Sequence, residues 1–213
     1  EDFPVLMTRP SSFPGFTLFT LALACAVPAS LLAAVASEAR PNILWLAGEN
    51  LSHDLGCYGA INVRTPHLDR LRKEGVELAQ HYVAPVCSPT RSGLMTGRYW
   101  SRFGVTSPQN DLALPHDTVT LARALKESGY DTCLTGKWHL GSEPYSPLQQ
   151  GFDVDLPHHP GPGPAGSYLA PCKFKAFSER SEKENIEDRM ADDATAWIEA
   201  NQSRPFYLNY FMF

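Results

Sequence analysis

The sequence predicts an α/β sandwich in which a largely parallel central sheet is flanked by helices. Residues 42–48 form a short, continuous apolar run, which is typical of a strand buried on both faces of a parallel sheet. Such runs alternate along the chain with segments whose apolar residues recur at helical spacing. This alternation favours parallel pairing, because a chain adds a parallel strand through a crossover that is usually a helix.

The other elements follow from local signals. Thr65 and Ser88 are each followed by a proline, and a capping residue before a first-turn proline marks a helix start. Residues 144–183 are rich in proline, glycine and histidine and predict a long surface loop, with His158 and His159 interpreted as its polar tip rather than as substrate contacts. The remaining predictions are strands at 76–83, 130–135 and 205–213, and helices at 65–75, 88–97, 118–128 and 184–201.

The composition is that of an ordinary globular domain with one sizeable core. The chain has 213 residues, of which 43% are hydrophobic and 19% charged, and its net charge is −5. Lysine and arginine are scattered along the chain rather than clustered. The sequence therefore lacks the electrostatic footprint of a nucleic-acid-binding protein, and we expect no nucleic acid among its partners.

The N-terminal segment has the pattern of a secretory signal peptide. Arg9 precedes an uncharged run over 16–36 that ends in small residues. We therefore expect residues 1–6 to lie upstream of a signal peptide at 7–36 that is cleaved after Ala36. The mature protein would then be periplasmic or secreted. The alternative is an uncleaved membrane anchor, since a run of about 20 apolar residues can span a bilayer.

Residues 37–213 are expected to form the N-terminal part of one domain. Phe213 closes an aromatic, apolar strand, whereas a natural terminus is normally polar and exposed. The sequence thus predicts a domain that is truncated at its C-terminus.

Three polar segments are expected to meet at one edge of the sheet. Glu49 and Asn50 follow the first strand, Cys87 to Arg91 begin a helix, and Lys137 to His139 follow a later strand. Ligands of open α/β sheets bind beyond the carboxyl ends of the strands, where helix N-termini also point inward. These segments are therefore the candidate site.

Two of these segments carry sequence motifs that resemble the sulfatase family. Cys87-Ser88-Pro89-Thr90-Arg91 is similar to the family's Cys-x-Pro-x-Arg signature, and the stretch 129–141, which contains Gly-Lys-Trp-His-Leu-Gly, is similar to its second signature. The resemblance extends over about residues 40–213 and implies an alkaline-phosphatase-like fold. Either motif alone could arise by chance, but the two in the right order and spacing make chance a poor explanation.

The resemblance implies a sulfuric ester hydrolase whose nucleophile is made from Cys87. In that family the cysteine is oxidised to formylglycine (3-oxoalanine) by a formylglycine-generating enzyme or an anaerobic maturase. One hydroxyl of the hydrated aldehyde attacks sulfur, and loss of the proton on the other expels sulfate. By similarity, Arg91 would hold the hydrate, Lys137 would bind a sulfate oxygen and His139 would hydrogen-bond the nucleophile.

The resemblance also implies a divalent cation, with Glu49, Asn50 and residue 87 as its ligands in this part of the chain. Oxygen ligands suit a hard cation, Ca²⁺ or alternatively Mg²⁺. The family's usual pair at this place is Asp-Asp, so the neutral Asn50 lowers the negative charge of the site, and Asp54 is a candidate to compensate.

Three interpretations remain open at this point. The first is a sulfatase acting on sulfated carbohydrates or other sulfate esters. The second is a hydrolase of phosphonates or phosphate diesters in the same superfamily, since some such enzymes carry the same modified cysteine. The third is a catalytically inactive fragment, because the resemblance places further site residues beyond Phe213; we therefore expect this chain alone to lack sulfatase activity.

Overall fold

The computed structural model describes residues 40–107, 113–176, 178 and 180–213. The predicted upstream residues 1–6 and signal peptide 7–36 lie outside this part of the chain. Within it, no helix combines the length and the apolar character that crossing a membrane requires.

The described chain contains a four-stranded sheet in which every pair of neighbours is parallel. The strands are β1 (Ile43–Ala47), β2 (Asp131–Gly136), β3 (Val154–Leu156) and β4 (Phe206–Phe211), in the spatial order β1-β4-β2-β3. The last strand of the sequence therefore lies between the first two, where it is buried along its whole length. This arrangement confirms the predicted parallel sheet.

The helices connect the strands and cover both faces of the sheet. They are α1 (Pro66–Glu74), α2 (Cys87–Thr96), α3 (Leu121–Glu127) and α4 (Ile186–Ala200), with short 3-10 helices at Gly56–Tyr58, Trp100–Phe103 and Pro147–Gln150. Each α-helix falls inside or close to its predicted range. At the start of α3 the side chain of Thr120 accepts a hydrogen bond from the backbone N–H of Arg123, which is a side-chain N-cap.

Two hydrophobic clusters lie on opposite faces of the sheet. Leu134 and Tyr207 point into one cluster, whereas their chain neighbours Cys133 and Leu208 point into the other. Helices α2 and α3 contribute to the first cluster, and α4 contributes Met190 and other residues to the second. The chain thus forms the predicted sandwich of helix, sheet and helix.

The strand predicted at 76–83 is wrong. The segment has no strand in the structure, and its apolar side chains face outward: Val76 is 90% and Tyr82 85% exposed. A high content of β-forming residues produces a strand only where a partner strand and a core face are available. Among the described residues, no strand pairs with this segment.

The predicted loop at 144–183 contains more structure than the sequence indicated. It holds the 3-10 helix at Pro147–Gln150 and strand β3, whose Val154 pairs with Cys133 of β2. Strand β3 has only three residues, too few for a pattern of alternating apolar residues to stand out. His159 is not part of a polar loop tip either, because its ring packs against Phe174 with the centroids 5.4 Å apart.

Candidate active site

The structure brings the three predicted segments together at the carboxyl edge of the sheet. Glu49 follows β1, Lys137 and His139 follow β2, and Cys87 is the first residue of helix α2. Glu49, Asn50, Cys87 and Arg91 line one cavity of about 280 Å³. Asn50 is exposed and has a left-handed backbone with φ of 50°, as expected of a turn that ends a strand.

The Glu49 carboxylate joins two buried cations. Its Oε2 lies 2.5 Å from Nη2 of Arg91, and its Oε1 lies 2.5 Å from Nζ of Lys137. The exposed fraction of the side chain is 11% for Glu49, 5% for Arg91 and 3% for Lys137. Burial raises the pKa of Glu49, but the hydrogen bonds and charges of Lys137 and Arg91 outweigh it and hold this pKa below its usual value. Two cations against one carboxylate leave a net positive charge, which favours an anion.

Arg91 is fixed from three sides. Besides the Glu49 contact, its Nη1 donates to the carbonyl oxygen of Lys137 at 2.7 Å, and its guanidinium carbon lies 4.5 Å from the centre of the Phe211 ring. Burial lowers the pKa of Arg91, and the Glu49 charge opposes that effect, but an arginine remains protonated in proteins. Phe211, which no sequence motif assigns to the site, therefore forms part of its floor.

Cys87 sits at the start of a helix, as predicted, although its neighbour plays a different role. The residue before the helix is Val86 rather than Ser88, so the predicted Ser88 cap is wrong. The Ser88 hydroxyl instead donates to the carbonyl oxygen of His139 at 2.8 Å and ties the two signature segments together. The first backbone N–H groups of a helix have no partner within it and attract negative charge, so residue 87 lies where an anion is stabilised.

His139 faces the cysteine. Its Nδ1 lies 3.1 Å from Sγ of Cys87, which is hydrogen-bonding distance for sulfur. Burial, reinforced by the charges of Lys137 and Arg91, lowers the pKa of His139 to about 4. The imidazole is therefore neutral at pH 7 and can accept or donate one proton through its ring nitrogens.

The end of β2 controls where Lys137 points. Gly136 has φ of 95°, and a Cβ atom there would lie 1.8 Å from the carbonyl oxygen of Phe211 in the neighbouring strand. That same oxygen accepts the backbone N–H of Lys137 at 2.8 Å. The glycine thus allows two backbones to approach and turns the chain towards Glu49.

The described residues near Cys87 offer the oxygen donors that a divalent cation prefers, but they offer too few of them. Glu49 offers a carboxylate and Asn50 an amide, whereas Ca²⁺ takes about six to eight oxygen ligands. Both Glu49 oxygens are already ion-paired. No group of three or more histidine, cysteine, aspartate or glutamate side chains in the described chain could hold a metal ion. Asp54 is exposed and does not line the cavity, so the structure gives no support for its compensating role.

The fold and the site define a class of α/β protein in which a cysteine at a helix N-terminus lies beside a neutral histidine and a pair of buried cations. The chain belongs to the sulfatase family, whose model matches residues 41–212. Human steryl-sulfatase is 44% identical over 135 residues, a match that covers 58% of this chain and 22% of that protein. The chain thus spans about a fifth of the length of this curated relative.

Solved structures have the same architecture. The PsFucS1 sulfatase from Pseudoalteromonas sp. superposes with a TM-score of 0.63 at 24% identity, over 86% of this chain and 45% of that one. A structure of BT4656 in complex with its substrate D-glucosamine-2-N,6-O-disulfate has a TM-score of 0.66 at 29% identity, over 81% of this chain and 34% of that one. These neighbours confirm the expected alkaline-phosphatase-like fold.

Proposed function

We propose that the intact protein hydrolyses sulfate esters, with residue 87 in its formylglycine form as the nucleophile. The observation that carries this proposal is the placement of Cys87 at a helix start, 3.1 Å from His139, and on a cavity that Glu49 and Arg91 also line. A sulfate monoester is an anion, and the surplus positive charge of this cluster would hold it there.

The site suits the modification that the family generally uses. Formylglycine supplies a hydrated aldehyde. One of its hydroxyl groups would lose its proton and attack sulfur, which breaks the sulfur–oxygen bond of the ester and releases the alcohol with a proton. Loss of the proton on the other hydroxyl would then break the carbon–oxygen bond to sulfate, release sulfate and regenerate the aldehyde. Cys87 is partly exposed on the cavity, so its side chain is accessible. An oxygen in place of Sγ stays within reach of the His139 imidazole, which would orient the attacking group and take up or return its proton.

The residues around position 87 supply fixed positive charge. Lys137 would bind a sulfate oxygen, as its buried ammonium needs only to share its Glu49 contact. Arg91 would orient the group at position 87, and the unpaired N–H groups at the start of α2 would add their dipoles. Because Phe211 and the carbonyl oxygen of Lys137 already fix the guanidinium, little reorganisation would accompany the reaction.

The proposed cation is Ca²⁺, with Mg²⁺ as the alternative. Glu49, Asn50 and an oxygen of modified residue 87 would hold it here, and ligands outside the described residues would complete it. Its positive charge would help to neutralise the sulfate group. A cation bound at Glu49 would compete with Lys137 and Arg91 for the same carboxylate.

The proposed substrates are sulfated carbohydrates, supported by the sugar disulfate bound to BT4656. A formylglycine-generating enzyme or an anaerobic maturase would act on the protein during biosynthesis. The proposal includes export to the periplasm or the outside of the cell, supported by the signal-peptide pattern at 7–36.

The decisive experiment is mass spectrometry of the peptide containing Cys87, from intact protein expressed together with a maturation enzyme. We expect the mass of an aldehyde in place of the thiol, labelling by a hydrazide, and turnover of an aryl sulfate above that of an aryl phosphonate. Cys87→Ala is the matched control and should lose both label and turnover. An unmodified thiol in the matured protein would refute the proposal.

A further inference from the structure

The imidazole of His139 is carried by a backbone conformation that most residues avoid. The φ angle of His139 is 54°, in the left-handed region, where residues other than glycine are uncommon. Gly141 also has a positive φ, of 110°, so the chain turns sharply beyond β2. A backbone in this region persists only where the surrounding contacts hold it, and such residues cluster at active sites. The contacts of this turn therefore decide where the imidazole lies.

One of these contacts comes from the residue next to Cys87. Ser88 is fully buried, and its hydroxyl donates to the carbonyl oxygen of His139 at 2.8 Å. Sγ of Cys87 in turn lies 3.1 Å from Nδ1 of His139. Two successive residues at the start of α2 thus contact the backbone and the ring of the same histidine. The serine hydroxyl fixes the backbone at the place from which the ring reaches position 87.

The same helix holds the neighbouring backbone in a similar way. Arg91 follows Ser88 by three residues and so lies on the same side of α2, where its Nη1 donates to the carbonyl oxygen of Lys137 at 2.7 Å. On the other side of the histidine, the carbonyl oxygen of Leu140 accepts the backbone N–H of Leu114 at 3.0 Å. The segment is therefore anchored on both sides of the histidine, and Ser88 supplies a bond to the histidine itself.

We propose that Ser88 is a positioning residue that holds the His139 imidazole against the attacking group at position 87. Because its side chain is fully buried, Ser88 acts through His139 and not on the substrate. A ring held in place needs little reorganisation before it accepts or returns a proton, whereas a displacement of about 1 Å can lower a rate severely. The inference rests on the proposed function for its effect on the reaction, whereas the restraint on His139 can be measured without a substrate.

Two serine variants isolate this contact. Ser88→Ala removes the hydroxyl without changing the Cys-x-Pro-x-Arg motif, in which position 88 is variable. Conversion of Cys87 should therefore proceed as in the parent protein, and mass spectrometry of the peptide checks this. Ser92→Ala is the matched control, because Ser92 is equally buried but donates to the carbonyl oxygen of Pro89 at 2.9 Å, within the same helix. Each variant loses one buried hydrogen bond, and only Ser88→Ala loses a bond to His139.

Turnover of an aryl sulfate by the intact, matured protein measures the effect on the reaction. We expect Ser88→Ala to lower kcat per converted residue 87 about tenfold, the weight of one hydrogen bond, and to leave KM within about twofold. KM is retained because Lys137 and the start of α2 still bind the sulfate. Ser92→Ala should match the parent in both constants, and Ser88→Thr, which keeps the hydroxyl, should restore kcat. A parent-like kcat in fully converted Ser88→Ala protein, or an equal loss in Ser92→Ala protein, would overturn the inference.

Acylation of His139 by diethyl pyrocarbonate tests the restraint without any substrate. The imidazole is unprotonated at pH 7, since its pKa is about 4, but only 2% of the residue is exposed. In the intact protein before maturation, we expect peptide mass spectrometry to show acylation of His139 about tenfold faster in Ser88→Ala than in the parent or in Ser92→Ala. Equal rates in all three proteins would overturn the inference.

The two measurements separate this inference from the proposed function. If the matured parent does not hydrolyse the aryl sulfate, the sulfatase proposal fails, and the acylation rates still decide whether Ser88 restrains His139. If the Ser88→Ala protein does not fold, Ser88→Cys takes its place, because a thiol fills a similar volume and is a weaker donor. It should show both effects to a smaller degree, and a Ser88→Cys protein that matches the parent in both would overturn the inference.

Discussion

Glu49 and Lys137 are 88 residues apart in the sequence, yet the carboxylate Oε1 of one lies 2.5 Å from the ammonium Nζ of the other. The contact is possible because β4 lies between β1 and β2 and brings their carboxyl ends to one edge. Arg91 closes the cluster from helix α2. A buried charge cluster of this kind is costly to break, because each remaining partner keeps its desolvation penalty.

We therefore expect Glu49→Gln to lower the free energy of unfolding by about 3 kcal/mol. The change leaves Arg91 and Lys137 buried without their anion. Guanidinium unfolding of the intact protein in EDTA measures the effect without any contribution from a bound cation. Glu74→Gln is the control, because its pair with Arg70 is exposed, and it should change stability by less than about 0.5 kcal/mol. Equal effects of the two substitutions would contradict the prediction.

A second prediction concerns the close approach of Gly136 to the neighbouring strand β4. Gly136→Ala should destabilise the protein by more than about 2 kcal/mol, since it combines an unfavourable positive φ with a clash against the Phe211 carbonyl. It should also lower aryl sulfate turnover, because Lys137 follows directly. Thermal unfolding is the measurement. Gly163→Ala is matched to it, as a Cβ there meets nothing within 4 Å, and it should be nearly neutral.

A third prediction uses a buried acid away from the site. Oε1 of Glu187 accepts the backbone N–H of Phe213 at 2.8 Å. Burial raises the pKa of Glu187, and the hydrogen bonds from Phe213 and Tyr210 only partly oppose this effect. The folded protein therefore holds this proton more tightly than the unfolded chain does. The stability contributed by Glu187 is present below pH 4.5 and is lost as the pH rises through the elevated folded-state pKa.

Glu187→Gln should remove that pH dependence while keeping an oxygen acceptor for Phe213. Denaturant unfolding at pH 4 and pH 7 should show a smaller loss of stability on raising the pH than in the parent protein. Glu199→Gln, exposed on the same helix, should behave like the parent. A parallel shift in both variants would argue against a special role for Glu187.

A fourth prediction distinguishes the cysteines. Burial raises the pKa of the Cys133 thiol to about 12, so it should resist iodoacetamide in the native protein at pH 8. Cys57 and Cys172 are partly exposed and should react. Peptide mass spectrometry before and after denaturation measures this difference. Native labelling of Cys133 at the rate of Cys172 would show that strand β2 opens readily.

The sequence predicted which segments meet at the carboxyl edge of the sheet, but not the contacts between their residues. The positions of Glu49, Cys87 and His139 follow from strand ends and a helix start, which are local signals. That Ser88 would hold the His139 carbonyl, and that Phe211 would support Arg91, depends on contacts between segments far apart in the sequence. No local pattern encodes such pairings.

The sequence predicts the α/β fold class, but it does not predict every strand correctly. The apolar run of β4 and the helical pattern of α4 predict both elements to within two residues of their observed bounds. Strand β3 is too short for its pattern to be read, and the segment 76–83 has the residues of a strand without a partner. In both cases tertiary context outweighed local preference.

The exposed apolar side chains of strand β1 affect how this region behaves when it is purified by itself. Among residues 40–107, 113–176, 178 and 180–213, β1 has a neighbouring strand on one side only, and its Leu44 and Leu46 are 55% and 41% exposed. An open ladder with apolar side chains is a template for pairing with another molecule. Purified residues 37–213 would therefore tend to self-associate as their concentration rises, and light scattering should precede any assay on that piece.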